Sequence, residues 1–201
     1  MARETRRRIT EPDALEALAH PIRLDLINYL MASGPATAST CARAVRDTPS
    51  NCSYHLRVLA RHGLVAEVAS DDGRERPWQA LITGFDTDDE HPPASPAARL
   101  VAVSLQRDQK LARDYLARRD QVPATWRAAD AYHTYTLRMS ADELSDLGWR
   151  LDALIRPYLS ATRDSAPEDA ELVHLGVHAF PIEDPLTPSG TGRSPSGRTT
   201  H

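Results

Sequence analysis

The chain has 201 residues and a mass of 22.2 kDa, enough for one domain or two small ones with a real core. Its formal net charge of -4 excludes an indiscriminate nucleic-acid coat, which would be strongly basic. Two cysteines exclude a disulfide framework, and no run approaches the roughly 18 apolar residues that a membrane-spanning helix needs.

Residues 1–9 read as a flexible basic arm, with Arg3, Arg6, Arg7 and Arg8. No apolar run follows them, so a secretory signal is not expected, and the expected location is cytoplasmic. Thr10 can cap a first helix that has Pro12 in its first turn and Leu15 and Leu18 on one face. Pro21 opens a second helix, on which Ile22, Leu26, Ile27 and Leu30 recur until Gly34 stops it. Thr37 caps a short third helix with Ala38, Cys41, Ala42 and Val45 inward.

Thr48 and Pro49 start a fourth helix, roughly residues 50–62, closed by Gly63. Cys52, Leu56 and Leu59 share one face, and Ser50, Tyr54, Arg57 and Arg61 share another. A hairpin signal follows. Residues 64–68 read as a strand, residues 70–75 as a glycine-containing turn, and residues 76–82 as the return strand, which Pro77 places at an edge.

Residues 85–94 read as an acidic, then proline-rich linker. Residues 95–127 read as a helical dimerisation segment with Ser95 as cap. Its seam runs through Ala97, Val101, Leu105, Ala112, Tyr115 and Leu116, interrupted at Asp108. Residues 128–184 read as a β-α-β-like extension. Residues 131–137 alternate with period two, Ser140 and Glu143 form a capping box, and residues 172–180 alternate again. Residues 185–201 hold one apolar residue and are expected to be disordered. The expected fold class is α+β: an N-terminal winged helix-turn-helix over residues 10–84, a long dimerisation helix, and the small C-terminal extension.

Three helices, a polar-faced fourth helix and a two-stranded wing match the order that places one helix in the major groove of double-stranded DNA. On the fourth helix the candidate readers are Ser50, Asn51, Ser53, Tyr54 and Arg57, with Arg61 on the same polar side. Arginine can bridge two acceptors on guanine, and asparagine pairs in the same way with adenine. Arg74 and Arg76 flank the wing. Arg43 and Arg46 lie on the preceding helix, which crosses the phosphate backbone in this motif.

Residues 13–82 resemble the ArsR-type winged-helix transcription regulators. The matching stretches are Leu18-Ala19-His20-Pro21-Ile22-Arg23, Asn51-Cys52-Ser53-Tyr54-His55-Leu56-Arg57-Val58-Leu59 and His62-Gly63-Leu64-Val65. The resemblance implies a homodimer that binds an inverted-repeat operator, usually as a repressor, with an unknown small molecule as a possible effector. The metal-sensing branch carries a Cys-x-Cys pair where this chain has the single Cys41, so neither a metal nor another cofactor is expected.

Both cysteines fall on apolar faces, which suits small core residues better than a thiol sensor. His20 and His55 are expected to cap or pack. His174 and His178 share a strand face and read as a partly exposed pair rather than a metal seat. No nucleophile motif, phosphate-binding loop or His-Glu-x-x-His is present, so no enzymatic activity is expected. The competing reading is a small-molecule-sensing or protein-interaction module in which the extension binds a ligand or partner. Placement bears on the charge as well. Residues 1–85 carry 11 Arg against 10 acidic residues, whereas residues 86–201 carry 13 basic against 18 acidic residues. The reader half is thus near neutral, with its arginines concentrated at the arm, the fourth helix and the wing.

Overall fold

The structure is a computed structural model that describes residues 7–69, 76–87, 92–159, 163 and 165–183. Four helices build the N-terminal body: α1 (Pro12–Leu18), α2 (Pro21–Ser33), α3 (Ala38–Val45) and α4 (Pro49–Arg61). Each starts where the chain's own chemistry permits. Proline stands in the first turn of α1, α2 and α4, where a missing N–H is no loss. Thr37 Oγ1 accepts from Thr40 N, and Thr48 Oγ1 accepts from Asn51 N, each at 3.2 Å. Thr10 does not cap α1; the cap position belongs to Glu11, whose side chain makes no capping bond. Gly34 ends α2 with φ +76°, a conformation that favours glycine.

The core draws on all four helices. Leu15, Leu18, Leu24, Leu26, Ile27 and Leu30 are buried beside Cys41, Cys52, Leu56 and Leu59. The wing follows as β2 (Val65–Glu67) and β3 (Trp78–Ala80), antiparallel with Val65 opposite Ala80 and Glu67 opposite Trp78. Pro77 does not put this strand at a free edge. Trp78 exchanges two backbone hydrogen bonds with Ala36 on its other side, at 2.9 and 2.8 Å. Pro77 stands one residue before β3, where only its carbonyl is needed, and it accepts from Val68 N at 2.8 Å.

The basic arm is shorter than expected. Arg7–Arg8 form β1, which pairs in parallel with β4 (Phe85–Asp86), and Ile9 N donates to Asp86 O at 2.9 Å. Ile9 is fully buried. It is the one large apolar side chain after the arginine run, and burying it ties down the backbone that precedes it. Residues 1–6, the wing turn 70–75 and the tail 185–201 lie outside the described residues. The expected linker likewise begins with ordered β4.

The long helix α5 (Pro96–Arg118) starts at Ser95, whose Oγ accepts from Ala98 N at 3.1 Å. The seam of the segment read as a dimerisation helix meets α1 within one chain over part of its length. α5 packs along α1, burying Ala97 and Leu100, while Val101 and Leu116 stay exposed. Two ion pairs fix its angle, one from Arg99 to Glu16 and one from Arg107 Nε to Asp25 Oδ1 at 2.6 Å.

Beyond α5 come a 3-10 turn (Arg119–Gln121), the short α6 (Ala124–Ala129), α7 (Ala141–Ile155) and a second 3-10 turn (Arg156–Tyr158). Asp130 accepts from Tyr115 Oη at 2.8 Å and from Arg119 Nε at 2.9 Å, which ties the α6 turn back to α5. The capping box on α7 forms as expected, with Glu143 N donating to Ser140 Oγ and Ser140 N donating to Glu143 Oε2. The two C-terminal strands do not form. Residues 131–137 and 172–180 are irregular chain, so the extension is not a β-α-β unit. Period-two patterning supplies side chains for a sheet face, but a ladder also needs a neighbouring strand. Among the described residues no helix is long and apolar enough to cross a membrane.

The buried Ile9 yields the first expected outcome. Ile9→Ala should lower stability by about 2–5 kcal/mol, the usual cost of this truncation in a core. Urea denaturation followed by circular dichroism measures it, and a loss under 1 kcal/mol, roughly that of a surface change, would contradict the described role of β1.

Candidate nucleic-acid interface

The site is the outward face of α4. Its inner face, Cys52, Leu56 and Leu59, is fully buried, and His55 and Val58 are nearly so. A straight helix can bury only one side against α2 and α3, so the residues opposite are turned to solvent. Ser50, Tyr54, Arg57 and Arg61 are exposed, and Ser53 is half-buried beside them. Neither Arg57 nor Arg61 has an ion-pair or hydrogen-bond partner among the described residues, so both guanidinium groups are available to an incoming acceptor.

Asn51 differs from its neighbours. Its Nδ2 donates to Asp47 Oδ2 at 2.7 Å, while Asp47 Oδ1 accepts from Thr48 N at 2.6 Å. These bonds lower the Asp47 pKa, the backbone bond from Thr48 first and the Asn51 amide second. Asn51 therefore braces the N-terminal cap through one of its two amide N–H groups.

The other expected residues lie around this face. Arg43 is exposed on α3, and its Nη2 donates to Thr40 Oγ1 at 3.2 Å. Arg46 ends α3 in the left-handed region at φ 57° and is exposed. Arg76 flanks the wing and reaches across it to Glu67 Oε2 at 3.5 Å, with its side chain still 76% exposed. Arg74 falls outside the described residues.

Beneath the face lies a cluster whose chemistry was not read from spacing. The His20 ring lies 4.7 Å from the His55 ring, and the Tyr54 ring meets His55 edge-on at 5.2 Å. Both histidines pack, as expected. Burial lowers the pKa of each below the ordinary 6.5, and the nearby Arg23 adds to it. The available signal was that all three residues sit inside the two quoted motifs. Burial likewise pushes the Cys41 thiol up to about 11 and raises that of Cys52. Buried and protonated, neither thiol is an effective nucleophile or metal ligand.

A second feature lies away from α4. Asp108, the charged break in the α5 seam, accepts His178 Nε2 at 2.7 Å and faces His174 Nε2 at 3.1 Å. With Asn28, Ser104 and Arg107 these groups line an open cleft of about 220 Å³. The two imidazoles approach different carboxylate oxygens, and no group of three ligands able to hold a metal occurs among the described residues. The shared face of His174 and His178 was legible; their common partner was not, because Asp108 and His174 lie 66 positions apart.

Residues 18–68 match a helix-turn-helix domain family, so this part of the chain is a helix-turn-helix domain. The match runs from the end of α1 through the first wing strand and includes every expected reader on α4. No curated protein matches the chain. Among solved structures it is similar to MepR, a transcription regulator of the Staphylococcus aureus multidrug efflux pump MepA, at 14% identity over 71% of this chain and 88% of that one, with a TM-score of 0.31. It is also similar to the Mycobacterium tuberculosis MarR family protein Rv2887 in its complex with p-aminosalicylic acid, at 21% identity over 71% and 87% of the two chains, again with a TM-score of 0.31. A TM-score this low carries no argument, and the helix-turn-helix assignment rests on residues 18–68 alone.

His55, which is buried, and His20, which is half-buried, set a pH dependence. Their folded pKa values lie below 6.5, so the unfolded chain takes up protons first as pH falls. Stability should be full above about pH 6.5 and should decline below it. Melting temperatures recorded between pH 8 and 5 test this, and His20→Gln should flatten the profile. The thiols set another expectation. At pH 8 a disulfide reagent should modify Cys41 and Cys52 only as fast as the protein unfolds, and rapid reaction with folded protein would show that they are accessible.

Proposed function

We propose that this protein is a dimeric, sequence-specific transcription regulator of the ArsR type, a non-enzymatic repressor that answers to an unidentified signal. One observation carries the reading. α4 is capped at its start and fully buried along one side, and it presents Ser50, Tyr54, Arg57 and Arg61 together on the other. That surface is polar and cationic, and it has the width of one helix, which suits a major groove about 12 Å across. In this reading Arg57 and Tyr54 meet base edges, and Arg43, Arg46, Arg61, Arg74 and Arg76 hold phosphates. Asn51 acts through the cap. A twofold dimer would place two such helices on the half-sites of an inverted repeat.

The competing reading, an extension that senses a small molecule, has one observation in favour: the cleft between α2, α5 and residues 174–178. One observation stands against it as a charged pocket. Arg107 is already paired with Asp25, and both histidines with Asp108.

A fluorescence anisotropy titration against the DNA upstream of its own gene tests the proposal. Arg57→Ala should weaken binding by about 1–3 kcal/mol and relax specificity, whereas Arg43→Ala should weaken all duplexes alike. Affinity should fall as salt rises, because each neutralised phosphate releases counterion. Equal affinity for a scrambled duplex would overturn the reading.

A further inference from the structure

We propose that residues 131–139, α7 and residues 171–183 form one interface with the same segments of a second copy of this chain, in which the extended segments pair as strands between subunits and α7 covers the sheet. The inference rests on the dimeric half of the function proposed above and not on its DNA-binding half.

Solvent exposure gives the first argument. Of the 17 exposed large apolar side chains among the described residues, 13 lie between Tyr132 and Ile182. They include Tyr135 at 73%, Trp149 at 67%, Val173 at 71% and Leu175 at 63%. So many exposed apolar side chains within one stretch of the chain mark surface available for contact. At on the order of 100 Å² per side chain they amount to roughly 1,000 Å² per copy, against the ~800 Å² that each partner of a stable interface buries.

The backbone gives the second. No backbone hydrogen bond joins residues 131–137 or 171–183 to another part of the chain among the described residues. Both stretches nonetheless carry the alternation of half-buried strands, and such unpaired edges are templates for pairing. α7 is in a similar position. It is a capped, amphipathic helix of 15 residues with no buried residue, and among the described helices and strands it packs substantially only against the 3-10 turn that continues it.

Counting layers points to a second copy rather than to a foreign protein. One chain supplies two strand-like segments and one helix, too few for a stable sheet. Two copies supply four strands and two helices, which is a complete two-layer unit. An isologous contact of this sort closes on itself at two copies rather than propagating. His174 and His178 hold one face of the last segment to Asp108 of its own α5. Val173, Leu175 and Val177, on the alternate positions, are left exposed.

Hydrogen exchange on the full-length protein without DNA, paired with sedimentation equilibrium, tests this. The expected result is a dimer in which amides of residues 132–137 and 172–180 exchange ~100-fold or more slower than in an unfolded chain. Val173→Asp combined with Val177→Asp should abolish that protection and weaken the dimer at least ~10-fold while the amides of α2 and α4 stay protected. A dimer with these segments freely exchanging overturns this inference and spares the dimeric reading. A monomer overturns both. Protection that persists at concentrations where the dimer has dissociated assigns the pairing to a single chain and also overturns it.

Discussion

The reader depends on the burial of one side of α4. Leu56 and Leu59 are fully inside, each contributing about 1.5–3 kcal/mol relative to exposure, and Cys52 fills the space between them and the preceding helices. That burial fixes the rotation of the helix about its own axis. Once it is fixed, Tyr54 and Arg57 face outward by geometry alone, because positions two and five residues after Cys52 lie on the other side of the cylinder. The cap at Thr48 and the Asp47–Asn51 hydrogen bond set where the helix begins, and so how far the outward side chains reach.

The contact between the two tilted histidine rings extends this constraint to α2. His20 occupies the position before Pro21, at the start of α2, and His55 lies in the middle of α4, so their ring contact joins two helix elements that share few other polar links. Arg23 lies on the same turn of α2 and donates to the carbonyl of Glu16 at 3.2 Å. Glu16 in turn holds Arg99 of α5. A short run of contacts therefore connects the underside of α4 with the long helix.

Much of this was legible in the sequence because it is local. Helix starts at Pro21, Thr37, Thr48, Ser95 and Ser140 follow from capping chemistry confined to four residues, and the structure has each of them. The inward and outward faces of α4 follow from spacing on one helix. The failures share a different cause. The pairing of β1 with β4, the Ala36 contact of Trp78 and the Asp108 contacts of the histidines all join residues far apart in sequence, and no periodicity encodes a partner. The C-terminal strands show the limit most plainly: the alternation in residues 131–137 and 172–180 was read correctly as pattern, yet pattern without a neighbour leaves irregular chain.

The pairing of Arg7–Arg8 with Phe85–Asp86 has a topological consequence. Parallel strands cannot be joined by a tight turn, so some crossover must connect them. Here the crossover is the whole helix-turn-helix with its wing, a loop drawn shut at its neck by two short strands and sealed by Ile9. The entropy of closing such a loop grows only with the logarithm of its length, about 0.6 kcal/mol for a doubling. Residues added to or removed from the wing turn thus alter the circumference of the loop while the neck stays tied. The reach of the wing is free to vary, and the place where α5 departs is not.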